Sequence, residues 1–178
     1  MSLKSSSTRY GSVAIVLHWV TAIAIFGMLA SGLAAENTTD AALELTLLRG
    51  HAVTGAVVGL LTVLRIVWWL FFDRRPADPA GMSRGQAIAA RVVHYGLYVA
   101  ILVMVASGSA TILLSGANLQ LLGAAPLPLP DFSQVAPMGV HGLLARLLIA
   151  LLIGHIGAAL WHQFIRRDRL LARMGVGR

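Results

Sequence analysis

Six histidines mark where chemistry could occur in this 178-residue chain: His18, His51, His94, His141, His155 and His162. All fall within or at the ends of long apolar runs. An imidazole in hydrocarbon needs a partner on the inside of a helix bundle. A lone one often serves as a helix–helix hydrogen bond, but six across four runs point to more than packing. Their spacing sorts them by level. With Arg9 and Arg166 as cytoplasmic markers, His18 lies about 13 Å deep and His155 about 16 Å deep, at about 1.5 Å per helical residue. His51 opens the second run and His141 lies near the start of the fourth, so they share an outer level. His94, three residues past Arg91, and His162, four before Arg166, share a level near the cytoplasmic edge.

Phase agrees with level. His141 and His155 are close to four helical turns apart, so they leave one face of the same helix about 21 Å apart. That helix offers an imidazole at two heights, and two other helices each match one. Two stacked bis-imidazole sites follow: His18 with His155, and His51 with His141. Zinc usually takes four ligands, and no Cys, Asp or Glu lies at these depths. Two opposed imidazoles suit an iron porphyrin, which brings four nitrogens of its own and takes two axial ligands. Gly27, Gly32, Gly55, Gly59, Gly108, Gly139, Gly142, Gly154 and Gly157 either make room for a flat macrocycle or let helices pack closely. Haem propionates want cations. Arg65, in phase with His51 and about 21 Å further in, reaches the inner level. A charge there is costly unless paired, so Arg65 is the expected propionate partner. Arg49, beside His51, either serves the outer haem or is a solvated interfacial arginine. Arg146, roughly 140° off the His141 face, has no assigned role.

The elements that must position these residues follow from composition. Apolar residues make up 57% of the chain and charged residues 12%, against roughly a quarter charged in soluble domains. A soluble domain of this size keeps too much surface wet to hide that much apolar area. Disorder, a disulfide scaffold and a typical cytosolic enzyme are excluded. An all-α integral membrane four-helix bundle is expected, as one domain over 1–178 with spans of about 13–35, 51–72, 92–115 and 138–165. The first span has features of a signal peptide, but it is long and carries His18 and Trp19, so it is expected to remain. No internal repeat stands out. The net charge of +7 follows the positive-inside rule rather than nucleic-acid binding. Lys4 and Arg9, then Arg74, Arg75, Arg84 and Arg91, then Arg166, Arg167, Arg169, Arg173 and Arg178 flank the cytoplasmic ends. Both termini are therefore expected in the cytoplasm of a bacterial cell. The outer connections are 36–50 and 116–137. The second carries Pro126, Pro128, Pro130 and Pro137, and a short interfacial helix is expected at 117–122. There is no cysteine, hence no thiolate site or thiol nucleophile.

The segments YGSVAIVLHWVTA, RGHAVTGAVVGLLTVLRIVWW, HYGLYVAILVMVASG and HGLLARLLIALLIGHIGAALWHQFIRRDRLLARM resemble bacterial cytochrome b561 over about residues 9–174. That family consists of four-helix dihaem membrane proteins related to the cytochrome b subunits of nickel–iron hydrogenases and formate dehydrogenases. The resemblance implies two haems b, with iron ligands His18 and His155 (inner) and His51 and His141 (outer). It also implies electron transfer across the inner membrane between a periplasmic donor and quinone. Some members are similar enough to suggest superoxide as donor and ubiquinone as acceptor, hence a superoxide:quinone oxidoreductase. A superoxide site should be electropositive. Here the outer loops carry Glu36, Asp40, Glu44 and Asp131, leaving Arg49 and Arg146 to steer an anion. His94 and His162, with Arg91 nearby, either bind or protonate a quinone or form a structural pair at the interface.

No catalytic residue can be assigned from the sequence. The acids lie away from the histidines, so Ser/His/Asp catalysis has no support, and there is no phosphate-binding glycine loop. Two rival functions stand beside the free-standing electron carrier. One is a membrane anchor for a hydrogenase or dehydrogenase partner subunit. The other is a His-lined proton or metal transporter, which would be colourless.

Overall fold

An apolar chain satisfies its backbone in hydrocarbon by forming helices, and helices make up most of the described residues. The computed structural model describes residues 2–79, 81–121, 123 and 128–177, with helices and no strand among them. The helices are α1 (Ser12–Asn37), α2 (Ala41–Val67), α3 (Arg84–Ser115), α4 (Asn118–Leu121) and α5 (Ala136–Trp161). α2 runs on into a π-helical turn, Trp68–Phe72, and α5 into another, His162–Arg166. With these extensions, four helices are long and apolar enough to cross a membrane. Large apolar side chains face outward along them, among them Phe71, Leu113 and Ile153, while Ala14, Thr62, Ala100 and Ser107 are buried. Ile25, Val58, Ile101 and Leu148 are buried as well, and small residues among the buried ones allow the close helix approach that lipid-embedded packing favours.

Two helices begin earlier than the apolar runs imply. α2 starts at Ala41 rather than about His51, because Asp40 caps it: its Oδ1 accepts from the Ala42 and Leu43 amides at 2.9 and 3.2 Å. Most of the 36–50 connection is therefore helix, and Arg49 and His51 sit inside α2 rather than at its mouth. α3 starts at Arg84 rather than about Val92 because Ser83 and Gln86 form a reciprocal capping box, at 3.0 and 3.2 Å. The short helix expected at 117–122 is α4, Asn118–Leu121. Leu122, Pro126 and Arg178 lie outside the described residues.

The chain divides into two compact units. One comprises Met1–Thr21, Leu61–Val99 and Leu148–Arg178, the other Ala22–Leu60 and Ala100–Leu147. In the first, the tail folds back on the amino-terminal segment. The Trp19 indole donates to the Met174 carbonyl at 3.0 Å, and the Tyr10 amide donates to the Arg173 carbonyl at 3.2 Å. The Arg173 guanidinium donates to the carbonyls of Thr8 and Ala77. Asp73, just past α2, accepts from the Ser5 amide and hydroxyl, the Trp68 indole and the Arg74 amide. In the second, Arg49 donates to the carbonyls of Gln120 and Gly123 at the end of α4. Gly55 and Gly59 let Met28 and Val105 pack against α2, where an added Cβ would meet each at 3.1 Å.

Candidate functional site

In the second unit, α2 and α5 bring His51 and His141 together with ring centroids 6.1 Å apart. Both imidazoles are held at Nδ1. Ser107 Oγ donates to the Met104 carbonyl at 3.0 Å, and His141 Nδ1 lies 3.2 Å from that hydroxyl and 3.1 Å from the same carbonyl. A carbonyl only accepts, so the His141 proton is on Nδ1, and Nε2 keeps the lone pair a metal requires. On the other side, Ser31 Oγ donates to the Met28 carbonyl at 3.1 Å and lies 3.1 Å from His51 Nδ1.

In the first unit, α1 and α5 bring His18 and His155 together at 6.2 Å. His94 on α3 has its ring 5.2 Å from that of His155. Arg65 lies on α2 with its guanidinium 5.6 Å from the centre of the Tyr98 ring, and its buried Nε has no hydrogen-bond partner. The indole of Trp19 packs edge-on against His18 at 5.1 Å.

The two pairs fit a haem. A nitrogen–metal bond of about 2 Å places two trans imidazoles with ring centroids roughly 6.3 Å apart. The separations of 6.1 and 6.2 Å match this value, whereas His94 and His155 at 5.2 Å are too close to hold one iron from opposite sides. No group of three or more His, Asp or Glu is placed to bind a metal among the described residues, and a metal held by either pair would take its remaining donors from a macrocycle. Glycine supplies the clearance: a Cβ on Gly32 or Gly108 would stand 3.2 or 3.1 Å from Cε1 of His51 or His141.

The residues expected at the cytoplasmic edge do not form one cluster. His94 lies against His155, well inside α3, rather than level with His162. Its helix begins at Arg84, so Arg91 lies inside α3 and does not mark the end of that helix. His162, buried in the π-helical turn, hydrogen-bonds through Nδ1 to the Asp168 carboxylate. Arg91 pairs with Asp78 at 2.9 Å, both exposed. Arg49, expected beside the outer haem, is turned to the α4 carbonyls. Sequence reading missed Ser31, Ser107 and the methionine carbonyls, although the near-identical runs MLASG and MVASG were there to find.

Comparison with known proteins identifies a family. A family model described as prokaryotic cytochrome b561 matches residues 9–177. Two Escherichia coli (strain K12) proteins are similar nearly end to end. Cytochrome b561 homolog 2 is 28% identical over 98% of this chain and 95% of its own length. Cytochrome b561 homolog 1 is 29% identical over 93% and 96%.

Proposed function

We propose a function for this chain from a plain fact about it: it belongs to the prokaryotic cytochrome b561 family. It is a multi-pass membrane b-type cytochrome that binds haem b and works in electron transfer. Our reading goes further. The chain holds two haems b, one between His18 and His155 and one between His51 and His141. It carries electrons across the bacterial inner membrane between a periplasmic donor and membrane quinone, with both termini in the cytoplasm. The observation that carries this is the matched separation of the two imidazole pairs, 6.2 and 6.1 Å.

Haem b, when bound, supplies one-electron exchange at an iron that two imidazoles leave with no open position. The chain's own residues do the rest. Ser31, Ser107 and the carbonyls above them orient the outer imidazoles. Arg65, whose buried Nε–H has no hydrogen-bond partner, would hold a propionate of the inner haem. Of the three quinone-site candidates, His94 keeps the role, because its ring touches an inner ligand. His162 and Arg91 have other partners and serve the cytoplasmic end of the fold. Superoxide and ubiquinone are the donor and acceptor to test. Steering an anion on the outer side would rest mainly on Arg49, which the α4 carbonyls hold in place.

The test is a visible spectrum of the purified protein, oxidised and reduced, with a haem-to-protein ratio. Two b haems per chain are expected. Replacing His18 or His155 should remove the inner haem alone, and replacing His51 or His141 the outer alone. A colourless protein, or loss of a whole haem in His94→Ala, would overturn the assignment. Stopped-flow reduction by superoxide, compared with ascorbate and with quinol, identifies the donor.

A further inference from the structure

Two five-residue runs on different helices share four letters: Met28-Leu29-Ala30-Ser31-Gly32 on α1 and Met104-Val105-Ala106-Ser107-Gly108 on α3. Each residue that matters has the same task in both copies. The serine hydroxyl donates to the methionine carbonyl three residues earlier, at 3.1 Å in one copy and 3.0 Å in the other. The same hydroxyl oxygen lies 3.1 Å from Nδ1 of His51 and 3.2 Å from Nδ1 of His141. The methionine carbonyl of the second copy also lies 3.1 Å from His141 Nδ1. The glycine lies against the Cε1–Nδ1 edge of the ring, where a Cβ would come within 3.2 and 3.1 Å of Cε1. A shared letter string could be accidental. Shared letters with the same donor, acceptor and clearance around two separate imidazoles make a device.

We propose that these two boxes are a duplicated holder that fixes the outer pair with Nδ1–H donated to protein oxygens and Nε2 free for iron, Ser31 and Ser107 acting as positioning and tuning residues. The proposal rests on the reading of His51 and His141 as haem ligands. Its chemistry is that of an outer-shell hydrogen bond. An acceptor at Nδ1–H raises the donor strength of Nε2, which favours the more oxidised metal and lowers the reduction potential. The first unit has a different arrangement, in which His18 Nδ1 is buried with no hydrogen-bond partner. The holder therefore distinguishes the outer haem from the inner one.

The test uses the full-length haem-loaded protein in detergent. Ser31→Ala, Ser107→Ala, the double variant and the corresponding threonine variants are titrated electrochemically and examined by electron paramagnetic resonance of the ferric state. His51→Ala and His141→Ala, run alongside, identify the outer haem as the signal that disappears. Each alanine should raise the reduced-to-oxidised ratio of that haem about three- to tenfold at a fixed ambient potential, tenfold being 59 mV for a one-electron couple. The double variant should approach the product of the two. The threonine variants, which keep the hydroxyl, should stay within about twofold of the parent, and the inner haem should not move. An unchanged outer potential and resonance in the double variant, or a change confined to the inner haem, overturns the holder while leaving the ligands in place. Should the alanine variants lose the outer haem, threonine variants with the parental potential support the holder, and threonine variants that also lose it overturn it. If His51→Ala or His141→Ala keeps two haems, the ligand reading has failed, and the holder with it.

Discussion

At Gly108 one added methyl group decides whether an imidazole can stand where it does. A Cβ there would lie 3.1 Å from Cε1 and 3.3 Å from Nδ1 of His141, and the ring is held in place by its bonds to Ser107 and Met104. In a helix interior, alanine is normally the better residue by about 0.5–1 kcal/mol. Gly108→Ala should therefore keep its helix yet lose most of the outer haem, seen as a haem-to-protein ratio falling from about two toward one with unchanged circular dichroism. Gly50→Ala, where a Cβ meets nothing within 4 Å, should keep both haems. A Gly108→Ala protein with the parental spectrum would show that the ring can move aside. The pairing of the four ligand candidates was legible in the sequence because level and phase follow from counting along straight helices. The surroundings of each ring were not. A five-residue repeat is too short to register as a structural repeat, and its meaning lies in which neighbouring helix it faces, which periodicity does not encode.

The helix boundaries show the same division at the scale of elements. Apolar runs locate the spans, but a helix begins where its first amides find acceptors. Asp40 and the Ser83–Gln86 box supply those acceptors upstream of the hydropathy rise. Arg91 therefore lies inside α3, and His94 packs against His155 rather than standing at a helix end. The ends of α2 and α5 widen into π-helical turns, for which no residue pattern gave a signal. Just past the first of these turns, Asp73 fastens the amino-terminal segment. Burial alone would raise the Asp73 carboxyl, but hydrogen bonds from the Ser5 side chain, the Arg74 and Ser5 amides and the Trp68 indole outweigh it and leave it below its ordinary value. A depressed carboxylate stabilises the folded state above its unfolded value and loses that contribution as pH falls through its folded value. Protection of the Ser5 amide from hydrogen exchange should hold from neutral pH down through the usual carboxylate range and collapse only below it. Asp73→Asn should weaken that protection at every pH and remove the acid step. An acid step that survives the substitution would assign it to another group.

Over the whole molecule the two proposed haem sites differ in ways that would set a direction. In the proposed holder, His51 donates Nδ1–H to Ser31 and His141 donates Nδ1–H to Ser107 and the Met104 carbonyl, which favours loss of an electron. The inner site has no acceptor at His18 Nδ1 and a buried Arg65 guanidinium on α2. A cation in a poorly solvated setting favours gain of an electron, since charge interactions there are screened far less than in water. Both effects have the same sign, so the inner haem should be the more easily reduced. Lysines and arginines gather at the amino terminus, between α2 and the start of α3, and in the tail, which by the positive-inside rule would face the cytoplasm in the proposed orientation. Electrons should then run downhill from the outer side toward the cytoplasmic side, the direction a periplasmic donor and a quinone acceptor near His94 require. Redox titration of the full-length protein should resolve two steps separated by at least the 59 mV of a tenfold ratio. The higher-potential step should be the one missing from His18→Ala and His155→Ala. Arg65→Gln should lower that step and leave the other in place, with both haems retained. If the higher step belongs instead to the haem lost in His51→Ala, the downhill direction is reversed, and the donor must be sought on the cytoplasmic side.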